Sequence, residues 1–74
     1  MDELLKLLKD IRDNVDFENE TELIDGQILT SFDIIQIIAM LDDEYEIEIP
    51  ANEIVPKNFN SAAALLALIE RLKG

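Results

Sequence analysis

The chain has 74 residues, no cysteine, no histidine and a formal net charge of −11. One domain (residues 1–74) is the most this length allows, near the lower limit at which an apolar core alone supports folding; the missing residue types exclude disulfide and zinc staples, a thiol nucleophile and an imidazole base. Hydrophobic residues make up 49%, with Leu and Ile dominant, against only two Gly and two Pro, which predicts an all-α fold of packed helices and excludes a turn-rich β fold.

The first helix is predicted from Asp2 to Asn14. Leu4, Leu7, Leu8, Ile11 and Val15 recur at helical spacing, and Asp2 and Glu3 suit the positive end of the helix dipole. From Asp16 to Leu29 that period is lost. Phe17, Leu23, Ile24, Ile28 and Leu29 are irregularly placed and Asp25-Gly26 signals a turn, so a long but packed connection is expected, with a turn of helix near Glu20 to Leu23. Asp16, Glu18 and Glu20 imitate the start of a calcium loop. Thr21 stands where such a loop needs glycine and Gln27 where it needs a bidentate glutamate, so no dedicated calcium site is expected.

Ser31 to Tyr45 reads as the second helix, with Ile34, Ile37, Ile38, Leu41 and Tyr45 on the core stripe. Phe32, Ile35 and Ala39 fall on another stripe that need not be buried. Asp42, Asp43 and Glu44 crowd the last turn, where negative charge opposes the dipole. Glu46 to Pro50 is expected to be a loop with Ile47 and Ile49 turned inward. Pro50 would then open a short helix, Ala51 to Val55, closed by Pro56. After a loop at Asn58 to Asn60, Ser61 would cap the last helix, Ala62 to Leu72, which buries Ala62, Leu65, Leu66, Ile69 and Leu72.

Charge is unevenly distributed. Between Asp13 and Glu53 there are thirteen acidic residues and no basic one; Lys6, Lys9 and Arg12 precede that stretch, and Lys57, Arg71 and Lys73 follow it. Such a field repels nucleic acid and anionic lipid and attracts basic protein surfaces. The longest apolar run, Ala62 to Ile69, is too short to span a bilayer. Met1 opens an acidic amphipathic segment rather than a secretory leader, so a cytoplasmic monomer is expected. With no glycine-rich phosphate loop and no evident base, the chain is not expected to be an enzyme.

Ser31 stands where the long connection becomes a helix. Thr30 or Ser31 can cap that helix, and Thr30 with Asp33 has the spacing of a capping box. A serine there can equally carry a phosphate group, which a helix N-terminus favours. The wider pattern resembles the acyl carrier protein family over nearly the whole chain. It consists of an amphipathic first helix, a long loop, a helix opening Ser31-Phe32-Asp33, then Ile35, Leu41, Tyr45, the Ile49-Pro50 pair and the segment Glu53-Ile54-Val55-Pro56-Lys57-Asn58-Phe59-Asn60-Ser61.

The resemblance implies an acyl-carrier-like four-helix bundle of three main helices and one short one. It also implies that Ser31 bears covalent 4′-phosphopantetheine and holds acyl or aminoacyl cargo as a thioester. Partners would be a phosphopantetheinyl transferase, a cargo-loading ligase and acceptor enzymes with basic surfaces. They would read Phe32, Asp33, Ile35, Ala39, Asp42, Asp43 and Glu44. Fatty-acyl, polyketide and aminoacyl carriers share this scaffold. Where the family usually has aspartate before the serine, this chain has Thr30, which keeps a capping oxygen and lacks the charge. A second reading stays open: an unmodified acidic helical interaction module in which Ser31 is only a helix cap.

Overall fold

The structure, a computed structural model, describes residues 2–73. It is all-helical: α1 (Asp2–Ile11), α2 (Ser31–Tyr45), a short 3-10 turn (Ala51–Glu53), α3 (Pro56–Phe59) and α4 (Ala62–Lys73), with no strand among the described residues. The three long helices pack on one another, and α3 lies against α4. Leu4 and Leu8 of α1, Ile37 and Leu41 of α2, and Leu65, Leu68 and Ile69 of α4 fill the centre. No helix among the described residues is long and apolar enough to cross a membrane.

The second helix has the expected limits. α1 stops three residues earlier than its periodicity suggested, and Val15 reaches the core from the turn that follows. In α4 the buried set includes Leu68, which the expected stripe left out, while Leu66 and Leu72 are only half-buried. A short helix closed on both sides pulls a wider arc inward than a single stripe.

The largest departure is around Pro56. The segment expected to be one helix from Ala51 to Val55 is a single 3-10 turn, and Pro56 opens α3 instead of ending a helix. Proline suits a first helical position because its fixed φ is already helical and the N–H it lacks would have no partner there. Asn58 and Phe59, expected in a loop, are therefore helical and buried. Ser61 caps α4 as expected, its Oγ accepting the Ala64 N–H at 3.0 Å.

The long connection is packed down at intervals, with residues 18–22 mostly at the surface. Val15, Phe17, Leu23 and Leu29 are core residues. The turn of helix expected near Glu20 to Leu23 is not formed; hydrogen-bonded turns lie instead at residues 17–19 and 23–27, the second ending with Gln27 in the left-handed region (φ 59°). Asn60 holds the second turn from across the molecule: its Oδ1 accepts the N–H groups of Ile24 (2.9 Å) and Asp25 (3.0 Å), and its carbonyl accepts that of Leu23. Gly26 is required there by space rather than by φ. A Cβ on it would lie 2.6 Å from the Glu22 carbonyl oxygen, the oxygen that accepts the Gly26 N–H.

Replacing Gly26 by alanine should therefore destabilise the fold by about 1–3 kcal/mol, the usual cost of overpacking. That outweighs the ~0.4–1 kcal/mol that alanine recovers by restricting the unfolded chain. The urea midpoint of G26A measures the difference, and an unchanged midpoint would mean that the turn yields without cost.

Candidate functional site

The start of α2 is held by a closed pair of side-chain hydrogen bonds. Thr30 is extended (φ −91°, ψ 170°) and its Oγ1 accepts the Asp33 N–H at 3.2 Å, while Asp33 Oδ2 accepts the Thr30 N–H at 3.0 Å. This is the expected capping box, and it decides between the two hydroxyls. Thr30 is the cap; Ser31 is the first helical residue. The reading of Ser31 as a helix cap is thereby corrected, because its neighbour already satisfies the N–H group in question. Ser31 is exposed, and its hydroxyl enters none of the hydrogen bonds among the described residues.

Asp33 does not stand beside Ser31 as an open acid. It is 6% exposed and receives Arg12 Nη1 from the end of α1 at 2.5 Å. The hydrogen bond from the Thr30 backbone, and after it Arg12, holds its carboxyl below the ordinary aspartate range against the opposing effect of burial. The expectation that partners read Asp33 at the surface is corrected on this point. The carboxylate is committed to the cap and to Arg12, a residue nothing in the spacing had connected with it.

Phe32 and Ile35 are 67% and 63% exposed, and Ala39 is also exposed. At i, i+3 and i+7 they form one apolar stripe running down α2 from Ser31. Asp43 continues that face and is exposed; Glu44 is exposed about 100° further round the helix. Asp42 is half-buried, and its Oδ1 accepts the Ile49 N–H at 3.2 Å, so it folds the chain back after α2 rather than standing free. The structure thus brings together Ser31, Phe32, Ile35, Ala39 and Asp43, while Glu44 is exposed at the same end of α2 on another side.

Sequence reasoning did not find the apolar cleft, open to solvent, on another side of α2. It has a volume of about 180 Å³ and is lined by Ile24, Ile34, Ile54, Val55, Pro56 and Phe59, apolar side chains from the long connection, α2 and the α3 region. Ile34 lies one turn along α2 from Ser31. No spacing rule joins residues so far apart in the chain. Among the described residues, no three carboxylates converge as a metal site.

No known protein family's sequence profile matches this chain, and no curated protein matches it significantly.

Replacing Asp33 by asparagine should cost about 1–3 kcal/mol near neutral pH, the range for losing a charged hydrogen-bond partner. A carboxylate whose folded pKa is depressed contributes its stability above the unfolded pKa of about 4 and loses it as pH falls through the folded value. The gap between wild type and D33N in urea unfolding should therefore be constant from about pH 5 upward and shrink below about pH 4. A gap that persists undiminished at pH 2.5 would assign the effect to shape rather than charge.

Proposed function

We propose that this chain is an acyl-carrier-like four-helix bundle, a carrier whose Ser31 accepts 4′-phosphopantetheine through a phosphodiester. The observation that supports it most is an exposed, uncommitted serine hydroxyl in the first turn of a 15-residue helix whose cap is already made by other residues. When bound, the group supplies a terminal thiol that holds cargo as a thioester. The chain's own part is to present and to recognise. Ser31 provides the attachment oxygen, and the backbone N–H groups and dipole of the first turn of α2 favour a phosphate there. Phe32, Ile35 and Ala39 provide apolar contact for a partner enzyme, and Asp43 and Glu44 attract its basic surface.

The cleft supports acyl cargo over aminoacyl cargo. All six of its lining side chains are apolar, so an aliphatic chain laid against them gains from burial, whereas an ammonium group finds no polar partner there. Chemistry on the cargo belongs to partners: a transferase that installs the arm, a ligase that loads it and an acceptor that unloads it. Thr30 in place of aspartate favours a second reading, an unmodified interaction module. In that reading the same acidic, apolar α2 face docks a basic protein with Ser31 bare.

Intact mass decides between them. After incubation with coenzyme A, magnesium and a broad-specificity phosphopantetheinyl transferase, the chain should gain the mass of one arm, and Ser31→Ala should gain none. No gain with that enzyme or with one from the same source would leave the interaction module.

Neutralising Asp43 and Glu44 together (D43N/E44Q) should weaken partner binding several-fold at low salt and flatten its salt dependence. Circular dichroism should stay that of the wild type, since neither carboxylate takes part in the hydrogen bonds that hold α2 to its surroundings. Asp42 is left intact because its carboxylate serves the fold. Unchanged affinity and salt slope would remove the steering role.

A further inference from the structure

Besides its last residue the chain has one glycine, Gly26, and Asp25 precedes it. An aspartate before glycine is chemically vulnerable: with no Cβ on the following residue, little hinders that residue's backbone nitrogen from reaching the aspartate Cγ. Here neither residue changes freely. Gly26 is required by space, since a Cβ on it would lie 2.6 Å from the Glu22 carbonyl oxygen. Asp25 is held by a partner: its Oδ2 accepts Asn60 Nδ2 at 3.0 Å, while Asn60 Oδ1 accepts the Asp25 N–H at 3.0 Å and that of Ile24 at 2.9 Å. The Gly26 N–H donates to the Glu22 carbonyl oxygen at 2.7 Å. A nucleophilic nitrogen and a carboxyl carbon are thus neighbours in the chain, each held by another group. Both residues are exposed, so water surrounds them and only these hydrogen bonds keep them apart.

We propose that Asp25-Gly26 is a site of isoaspartate formation that the Asn60 side chain keeps closed. The reaction needs no enzyme, oxidant or cofactor. The Gly26 nitrogen attacks Asp25 Cγ; the nitrogen's proton, one carboxylate oxygen and a proton from solvent leave as water, and a five-membered succinimide results. Water then adds at the main-chain carbonyl carbon of Asp25, whose bond to nitrogen breaks. The chain now runs through Cβ and Cγ, the former main-chain carbonyl has become a free carboxylate, and the solvent proton is returned. In the fold, attack requires the Gly26 N–H to leave Glu22 and the Asp25 carboxylate to leave Asn60. Opening of this one turn, rather than unfolding of the whole chain, is the step that releases the reaction. The product carries an additional backbone carbon at the turn that Asn60 ties to the segment between α3 and α4, so the three Asn60 side-chain bonds cannot all re-form. The site belongs to the chain itself, with Ser31 bare or modified.

The test incubates four samples at neutral pH and body temperature: folded wild type, wild type in urea, Asn60→Ala, and a core variant. The core variant is Ile69→Val or Ile69→Ala, whichever matches the urea midpoint of Asn60→Ala, and it leaves the Asn60 bonds intact. Isoaspartate is counted by methyl transfer from S-adenosylmethionine through an isoaspartyl methyltransferase. It is placed at residue 25 by fragmenting the tryptic peptide that follows Arg12 and ends at Lys57. Folded wild type should react at residue 25 at least about tenfold more slowly than the unfolded chain, Asn60→Ala should recover most of that difference, and the core variant should stay near wild type. Equal rates in the folded and unfolded wild type, or no isoaspartate at residue 25 in either, would overturn the site. Asn60→Ala as slow as wild type, or a core variant as fast as Asn60→Ala, would overturn the role of Asn60. Should Asn60→Ala fail to fold, Asn60→Asp, which keeps an acceptor for the two N–H groups and sets a carboxylate against Asp25, is judged by the same comparison.

Discussion

Two demands meet on one buried carboxylate at the start of α2. Asp33 closes the cap with Thr30 and receives Arg12 from the end of α1, so a single side chain fixes where the helix begins and how it is turned about its axis. With Asp33 inward, Ile37 and Leu41 follow it into the core at four-residue steps. Ser31, Phe32, Ile35 and Ala39 are then obliged to face out. Exposing two large apolar side chains costs the fold their burial, roughly 1.5–3 kcal/mol each by area. It persists because the alternative rotation would bury Ser31 and strand both Asp33 and Arg12.

The cleft has a related origin. Pro56 starts a helix of one turn, and that helix turns Asn58 and Phe59 inward and faces α4. The same inward turn places Asn60 against the long connection, where it accepts two backbone N–H groups. The connection and the α3 region are thereby fixed to each other and to α4. Neither closes onto α2, and the space left over is apolar because every element bordering it turns apolar residues that way.

Both arginines are paired with acids, Arg12 with Asp33 and Arg71 with Glu53. The acidic middle of the chain therefore carries its charge outward with little local compensation. At the end of α2, Asp43 and Glu44 oppose the helix dipole. The last turn of that helix has no basic residue of its own; Lys73 of α4 stands over the Tyr45 ring, 5.7 Å from its centre. Asp42 recovers part of the conflict by accepting the Ile49 N–H. What remains is an acidic face beside an apolar stripe, a surface suited to a basic partner with an apolar contact point.

Periodicity was enough to place α1, α2 and α4 and most of their buried faces, because helical spacing is a local property that a sequence carries openly. The capping box was legible for the same reason, since Thr30 and Asp33 are three residues apart. Ser31 could be singled out as a candidate, but whether it or Thr30 made the cap was beyond spacing alone. Pro56 was ambiguous, since proline both ends helices and begins them, and only the burial of Asn58 and Phe59 chose between the two. Arg12 with Asp33, Arg71 with Glu53 and Asn58, and the six residues around the cleft join positions distant along the chain. Their meeting depends on how finished helices pack, and no local pattern records that. The sequence by itself determined the helices, the charge and the candidate serine; the tertiary structure decided which polar groups were already taken, and so which were left free to act.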